Sequence, residues 1–257
     1  VGNGIVVDTS KYFTEILKIN KEEKYCIVQP GVVRDELNRQ LKSVDLFFAP
    51  ETSTANRAMI GGMVGNNSCG TNSIVYGTTR HHVLELTGFL SDGSEVVFND
   101  LTAAEFINKT AQNNTEGIIY KFLQEELSNS ETQKEILEQF PNQKIHRRNT
   151  GYAIDELLHH QPFKTDGKPF NLSELICGSE GTLAFITEIK LNLVPIPPKE
   201  KVVIAVHFNT LEEIAKQKIK SGESPANVKN ILAAAGYLVI GVLGSEGLKY
   251  LFQKYIQ

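Results

Sequence analysis

The alternation of apolar and polar positions at the start of the chain predicts two short strands followed by a helix. Residues 5–7 and 25–28 are apolar runs with the β-branched and aromatic composition that strands favour. Val33, Leu37 and Leu41 then recur every four residues, which places them on one face of a helix. We therefore expect a short sheet and a packed helix in this part of the chain.

A β-hairpin and a helical region are predicted in the middle of the chain. Residues 84–90 and 95–98 have strand composition, and the Asp92-Gly93 pair between them is a turn signal, so we expect a hairpin. Residues 103–140 have a helical pattern. The apolar side chains that we predict on one side of it are Ile118, Ile119, Phe122, Leu123 and Leu127.

Strand composition returns near the end of the chain. Residues 183–193 form one strand candidate, which a cluster of prolines between residues 195 and 198 ends. Residues 202–208 form another, and Thr210 is a suitable N-cap for a helix, with Glu213 three residues later. Beyond this point the pattern predicts no particular structure.

Together these elements predict an α+β fold around a mainly antiparallel sheet. We expect three parts: a remnant of a first subdomain over residues 1–48, a larger subdomain over residues 49–197, and a segment over residues 198–257 that starts a further domain or stays unassigned. The chain opens on Val1 rather than Met, so we expect it to be truncated at both ends relative to a longer parent.

Composition and charge disfavour several classes of protein. Hydrophobic residues make up 41% of the 257 residues, which is enough for a packed core. The net charge is −4, whereas nucleic-acid-binding domains usually carry a basic excess. No apolar stretch reaches the roughly 18 residues that span a bilayer. The three cysteines form no Cys-x-x-Cys pair, so we expect buried thiols in a reducing cytoplasm and no metal site.

A glycine-rich segment over residues 49–79 interrupts the regular pattern. Five glycines fall between residues 61 and 77, and glycine lets a backbone approach a ligand closely. Arg57 is the only Lys or Arg in the segment, so a bound anion would be held mainly by main-chain amides. The segment contains neither a P-loop nor a Gly-x-Gly-x-x-Gly fingerprint. It predicts a loop that binds a dinucleotide pyrophosphate, with a purely structural loop packed against another chain as the alternative.

Three motifs, taken in their order and spacing, resemble the FAD-linked oxidase family, with its vanillyl-alcohol-oxidase and p-cresol-methylhydroxylase type of flavin domain. They occupy residues 48–77, residues 148–152 (Arg-Asn-Thr-Gly-Tyr) and residues 176–187, which begin Ile-Cys-Gly-Ser-Glu-Gly-Thr. Within the family the chain is most similar to the branch of D-lactate, glycolate and D-2-hydroxyglutarate dehydrogenases. The Asn-Asn-Ser-Cys-Gly run at residues 66–70 also resembles large bacterial members that carry an iron–sulfur module.

The resemblance implies a two-subdomain FAD-binding domain of the p-cresol-methylhydroxylase type, with FAD between the subdomains. It implies hydride transfer from a 2-hydroxy acid to flavin N5, in a cytoplasmic enzyme whose electron acceptor the sequence does not identify. The residues that it places at the cofactor are Pro50, Ser53, Thr54, Gly61, Gly62, Asn66, Ser68, Gly70, Tyr76, Gly77, Glu180, Gly181 and Ile186.

Departures from the family pattern leave two alternatives. The family's first pyrophosphate loop would precede Ile5, its histidine-bearing substrate lobe has no match in residues 214–257, and Ala184 replaces a common glycine. The chain is therefore alternatively a non-catalytic fragment or flavin-free interaction domain. A sugar or aryl-alcohol oxidase of the same superfamily is the other alternative.

The sequence assigns no catalytic base. We interpret His81 and His82 as a solvated pair, and the adjacent His159 and His160 as surface residues. Arg147-Arg148 is predicted to be an exposed basic loop, with a substrate carboxylate site as the alternative. Cys69 is predicted to be a packed thiol, with a covalent flavin link as the alternative.

Overall fold

The computed structural model describes residues 7–141, 145 and 151–197, together with the backbone of two strands at 202–206 and 238–243. The chain divides into two compact units, Val1–Ile196 and Pro197–Gln257. The predicted strand at residues 5–7, the predicted helix at Thr210 and the Arg147-Arg148 pair fall wholly or largely outside the described residues. The division of the first unit at residue 48 remains a prediction.

Antiparallel strands form the framework of the first unit. In chain order they are β1 (Ile16–Asn20), β2 (Tyr25–Val28), β3 (Leu46–Phe47), β4 (Val83–Phe89), β5 (Glu95–Phe98), β6 (Phe185–Asn192) and β7 (Val194–Pro195). Five of them form one sheet in the order β1-β2-β6-β4-β5, and β3 pairs with β7. All these pairings are antiparallel. The late strand β6 therefore lies at the centre of the sheet and joins the early hairpin β1-β2 to the later hairpin β4-β5.

Eight helices pack around this framework in the described part of the first unit. They are α1 (Arg34–Leu41), α2 (Ile60–Gly65), α3 (Ser73–Tyr76), α4 (Ala103–Thr110), α5 (Thr115–Ser128), α6 (Ser130–Gln139), α7 (Ile154–Leu157) and α8 (Ser173–Ile176). None of the described helices is long and apolar enough to cross a membrane. In the second unit, β8 (Val202–Val206) pairs with β9 (Leu238–Leu243) in antiparallel fashion.

Local sequence explains where the three longer helices after the hairpin begin. Thr102 and Glu105 form a capping box at the start of α4. Asn114 accepts a hydrogen bond from Gly117 N–H at the start of α5, and Asn129 caps α6 in the same manner. The predicted helical region is thus three helices, each opened by a polar residue that satisfies free main-chain amides.

The structure confirms the early helix and the hairpin but corrects the predicted helix face. Leu37 and Leu41 on α1 are buried, and β4 and β5 pair around the Asp92-Gly93 turn. On α5, Leu123 and Leu127 are buried as predicted, but Ile118 and Phe122 are 67% and 57% exposed. At about 100° per residue they lie on the side of the helix opposite Tyr120 and Leu127, which pack into the core.

An aromatic cluster packs α4 and α5 against the segment that precedes α8. Phe106 of α4 is buried, and its ring centroid lies 4.7 Å from that of Phe170 and 5.6 Å from that of Tyr120, both in edge-on geometry. Phe163 completes the cluster, 5.7 Å from Phe106. Such aromatic pairs contribute about 0.5–1.5 kcal/mol each beyond the area that they bury.

Close backbone approach restricts one position of the central strand pair. The register of β4 against β6 shifts between Thr87 and Gly88. A Cβ atom at Gly88 would overlap the carbonyl oxygen of Phe185, a main-chain atom that cannot turn aside. Glycine is therefore required here for the sheet to close.

We expect Gly88→Ala to lower the free energy of unfolding by about 1–3 kcal/mol, because the added methyl must push β4 away from β6. Urea unfolding followed by circular dichroism measures this change. Glu95→Ala, at an exposed position of the neighbouring strand β5, serves as the control and should shift stability by no more than about 0.5 kcal/mol. Equal stabilities for Gly88→Ala and the parent protein would contradict the packing argument.

Candidate functional site

A long groove of about 930 Å³ runs over the first unit between α2, the end of β4 and the loop before β6. This volume lies at the upper end of the roughly 300–1,000 Å³ typical of small-molecule sites. The described residues that line it are Val7, Thr9, Pro30, Met59, Gly61, Gly62, Gly65, Phe89, Leu90, Ser91 and residues 179–186. The groove thus brings together segments separated by more than a hundred positions in the sequence.

The start of α2 is fixed against the end of β2. Gly61 N–H donates to the carbonyl oxygen of Pro30 at 2.8 Å, and Ile60 N–H donates to that of Val32 at 2.8 Å. A Cβ atom on Gly61 would lie 2.6 Å from Cβ of Pro30. Glycine at position 61 therefore lets the helix rest directly on the strand end, which forms one side of the groove.

The other end of α2 is joined to the loop before β6. Gly178 N–H donates to the carbonyl oxygen of Val64, and Glu180 N–H donates to that of Gly65, both at 2.9 Å. The loop reaches these acceptors through left-handed backbone, with φ of 101° at Gly178, 53° at Glu180 and 74° at Gly181. Glu180 has a side chain and still adopts this conformation, which non-glycine residues seldom do outside functional or tightly constrained sites.

Arg80 connects the two loops from behind the groove. Its side chain donates from Nε to the carbonyl oxygen of Glu174 at 2.7 Å and from Nη2 to that of Cys177 at 2.5 Å. Its main-chain N–H donates to Oδ1 of Asn67 at 2.9 Å. Arg80 is only 6% exposed, and these acceptors offset the cost of removing its guanidinium from water.

Two histidines that we predicted to be solvated are buried. His82 is 4% exposed, and its Nε2 lies 2.8 Å from the carbonyl oxygen of Tyr76. His160 is completely buried, with Nε2 3.3 Å from Oε2 of Glu174. The surface prediction was therefore wrong for both, because the groups that surround them, including the carbonyl oxygen of Tyr76 and the carboxylate of Glu174, are brought there by the fold and cannot be identified from the sequence.

Glu174 lies where several of these contacts meet. Its carboxylate contacts His160, and its Oε1 lies 2.5 Å from Nζ of Lys168. Burial raises the pKa of Glu174, but the hydrogen-bonding contact of His160 and the positive charge of Lys168 outweigh that effect and hold its pKa below the usual value. The carboxylate is therefore charged at neutral pH. The stability that it contributes is lost only as the pH falls through this lowered pKa.

The groove surface has the steric properties of a cofactor site. A Cβ atom on Gly62 or on Gly181 would meet no other described atom within 4 Å, so both glycines face open space. Glu180 is the one charged residue among the described residues that line the groove. An anionic group of a ligand in this groove would therefore be met by main-chain amides and not by cationic side chains. These properties fit the dinucleotide FAD.

Five of the thirteen predicted cofactor residues line this groove: Gly61, Gly62, Glu180, Gly181 and Ile186. Gly77 instead lines a smaller cavity of about 420 Å³, which also includes Asn67 and Arg80. The remaining seven predicted residues lie outside the described lining of the groove, namely Pro50, Ser53, Thr54, Asn66, Ser68, Gly70 and Tyr76.

Several of these outlying residues have contacts within the protein. Pro50 is buried, and its carbonyl oxygen accepts from Nε of Arg34 at 3.1 Å. Nδ2 of Asn66 donates to Oγ of Ser68 at 3.0 Å. Tyr76 packs edge-on against Phe47, with ring centroids 5.5 Å apart. These contacts shape the loop around α2.

Six of the groove residues that sequence reasoning missed illustrate two different situations. Pro30 and residues 89–91 lie at strand ends, and only the three-dimensional pairing of β2, β4 and β6 reveals that these ends meet. Gly65 and Ser179 belong to motifs that the sequence did single out. For those two, the signal was their place within a glycine-rich motif.

The thiol environments agree with structural roles for two of the cysteines. Cys26 and Cys177 are buried, and burial raises the pKa of each thiol to about 12, so neither is a thiolate at neutral pH. Cys69 is half-buried in the loop after α2, which corrects the prediction of a packed thiol at this position. Within the described residues, no cluster of three potential ligands could hold a metal ion.

Comparison with known proteins independently supports an FAD-binding domain in this chain. Residues 1–99 match the model of the FAD binding domain. The chain is 41% identical over 209 residues to a D-2-hydroxyglutarate dehydrogenase of Pseudomonas putida, covering 81% of this chain and 20% of that protein. It is 37% identical over 205 residues to a D-2-hydroxyglutarate dehydrogenase of Escherichia coli, covering 79% and 19%.

A more distant relative is the glycolate oxidase subunit GlcD of Bacillus subtilis, 26% identical over 215 residues, with 81% of this chain and 33% of that protein covered. The chain spans about a fifth of the length of the D-2-hydroxyglutarate dehydrogenases. The domain match and these relatives together show that the chain contains an FAD binding domain related to those of the D-2-hydroxyglutarate dehydrogenases and of GlcD.

Proposed function

We propose that the groove along α2 binds FAD and that the chain serves as the FAD-binding part of an oxidoreductase acting on a 2-hydroxy acid. The observation that carries this proposal is that Gly62 and Gly181, one from each motif, line a groove almost free of charged side chains, and that a Cβ atom on either would meet no described atom within 4 Å. The match of residues 1–99 to the FAD binding domain supports it. The names of the relatives support the substrate class.

In this proposal the residues of the chain bind and orient the cofactor. Gly61 lets α2 lie against Pro30, Gly62 lets the backbone of α2 approach the cofactor, and Gly181 and Ile186 contact it from the second loop. Apolar side chains at the groove wall, such as Leu90 and Leu183, exclude water from the ring system. When bound, FAD supplies an acceptor for the hydride that leaves the substrate carbon.

The same proposal leaves proton removal from the substrate hydroxyl to residues elsewhere. The described lining of the groove contains no histidine and no lysine or arginine, and a general base of suitable pKa is required for this step. We propose that the base, the electron acceptor and any iron–sulfur module belong to other parts of a longer protein. The proposal also includes two subdomains, over residues 1–48 and 49–197, and a cytoplasmic location. It further includes cofactor contacts by Gly77 in the smaller cavity and by the seven predicted residues outside the groove.

The purified protein should carry or take up FAD. We expect flavin absorption bands in the visible spectrum, and release of the same flavin into the supernatant after denaturation and filtration. A colourless protein that also fails to quench the fluorescence of added FAD would favour the alternative of a flavin-free interaction domain.

Gly62→Ala should separate cofactor binding from folding. The added methyl meets no protein atom but projects into the groove, so we expect the Kd for FAD to rise at least about tenfold, a loss of roughly 1.4 kcal/mol. Stability should be unchanged or higher by up to about 1 kcal/mol, because alanine favours a helix over glycine. Fluorescence quenching measures Kd and urea unfolding measures stability.

Ser128→Ala is the matched control for this variant, since it also adds alanine to a helix at an exposed position distant in sequence from the groove residues. It should leave the Kd for FAD at the parent value. An unchanged Kd in Gly62→Ala would show that the cofactor does not occupy the space beside this glycine.

Substrate class can be tested by anaerobic reduction of the bound flavin. D-2-hydroxyglutarate, D-lactate and glycolate are the substrates that the relatives' names suggest, and we expect at least one of them to bleach the flavin band near neutral pH. L-lactate and L-2-hydroxyglutarate are the stereochemical controls. Bleaching by vanillyl alcohol or by a sugar, with no response to hydroxy acids, would support the alternative oxidase instead.

A further inference from the structure

The main chain and the side chain of Glu174 contact different residues. Its carbonyl oxygen accepts the hydrogen bond from Nε of Arg80 at 2.7 Å. Its carboxylate faces the other way, towards the fully buried His160 and the ammonium of Lys168. Glu174 lies on α8, four residues before Gly178, so its position sets where the second loop of the groove begins.

A closed ring of contacts connects this residue with the groove. Asn67, directly after the loop of α2, accepts from the main-chain N–H of Arg80. The guanidinium of Arg80 reaches the carbonyl oxygens at both ends of the segment from Glu174 to Cys177. Gly178 N–H then donates back to Val64 on α2. The position of the second loop therefore depends on the carbonyl groups of Glu174, on α8, and of Cys177, directly after it.

The surroundings of the carboxylate hold α8 in one place. Nδ1 of His160 accepts from the main-chain N–H of Asn171 at 3.3 Å, and Nε2 of the same ring lies 3.3 Å from Oε2 of Glu174. The side-chain amide of Asn171 donates to the carbonyl oxygen of Leu84 at 3.0 Å, so the start of this segment is tied to β4. The carboxylate thus connects α8 to groups that are already fixed.

We propose that Glu174 is a positioning residue for the FAD groove and that it acts through Arg80. Its carboxylate, which accepts a hydrogen bond from Lys168 and contacts His160, keeps α8 in the position where Arg80 bridges the carbonyl groups of Glu174 and Cys177. Loss of the carboxylate charge lets α8 shift, and the hydrogen bonds of Gly178 and Glu180 to α2 weaken. This inference rests on the proposed function, since the groove is taken to be the FAD site.

The test compares Glu174→Gln with the parent chain in two independent measurements. Hydrogen exchange of the flavin-free protein, resolved by NMR, reports on the main-chain amides of Gly178 and Glu180. We expect both to exchange at least about tenfold faster in the variant, while amides of the β4-β5 hairpin keep their rates. The Kd for FAD should rise by about tenfold, and the visible circular dichroism of the bound flavin should change. Glu125→Gln, an exposed charge on α5, is the control and should alter none of these.

A double-mutant cycle tests whether the effect passes through Arg80. Arg80→Lys retains the charge but replaces the planar fork that bridges two carbonyls, so we expect the same loss of protection at Gly178 and Glu180. Combined with Glu174→Gln, it should add little to the larger single effect. Additive effects, or unchanged exchange at both amides in Glu174→Gln, would overturn the proposal.

If Glu174→Gln does not fold, Lys168→Met provides a second test of the role of the Glu174 carboxylate. The side chain of Lys168 is 52% exposed, so its replacement leaves the core intact and removes only one partner of the carboxylate. We expect about threefold faster exchange at Gly178 and Glu180, and unchanged rates would overturn the proposal. If no variant binds FAD and the parent protein does not either, the proposed function fails, while the exchange rates still decide the role of Glu174.

Discussion

The structure depends on two main-chain hydrogen bonds, from Gly178 to Val64 and from Glu180 to Gly65, which join segments more than a hundred residues apart. The last carbonyls of a helix have no partner within the helix and must find one elsewhere. In α2, which has only six residues, two of these carbonyls are satisfied by the second loop. The bonds that complete the helix are therefore the same bonds that bring the two walls of the groove together.

The buried guanidinium of Arg80 is separate from the residues that line the groove. Arg80 lies behind the groove and directs its guanidinium at main-chain carbonyl groups, while the described groove surface itself has no cationic side chain. A guanidinium in this position stabilises the loop. In the proposed FAD site an anion would therefore be met by main-chain amides rather than by cationic side chains. The second loop adopts left-handed backbone at Glu180, a conformation that is unfavourable for a residue with a side chain.

Local structure could be predicted from the sequence because local forces specify it. The hairpin of β4 and β5 follows from a turn pair between two apolar runs, and α1 follows from the four-residue spacing of Leu37 and Leu41. The central place of β6 between β2 and β4 could not be predicted, since nothing local specifies which distant strands it joins. Burial of Arg80 and His160 was missed for the same reason: their acceptors come from residues 174–177 and from Glu174, far away along the chain or on a later helix.

Two adjacent glycines in the first motif, Gly61 and Gly62, have different surroundings that the sequence does not show. Gly61 and Gly62 are indistinguishable as letters, and both were predicted at the cofactor. Structure separates them, because a Cβ atom on Gly61 would strike Pro30, whereas one on Gly62 would meet only open space. Gly61 is required so that α2 can lie on the end of β2, and Gly62 is required only if a ligand fills the groove. Packing of the described residues does not exclude a side chain at position 62, so a bound cofactor is the constraint that would favour glycine there.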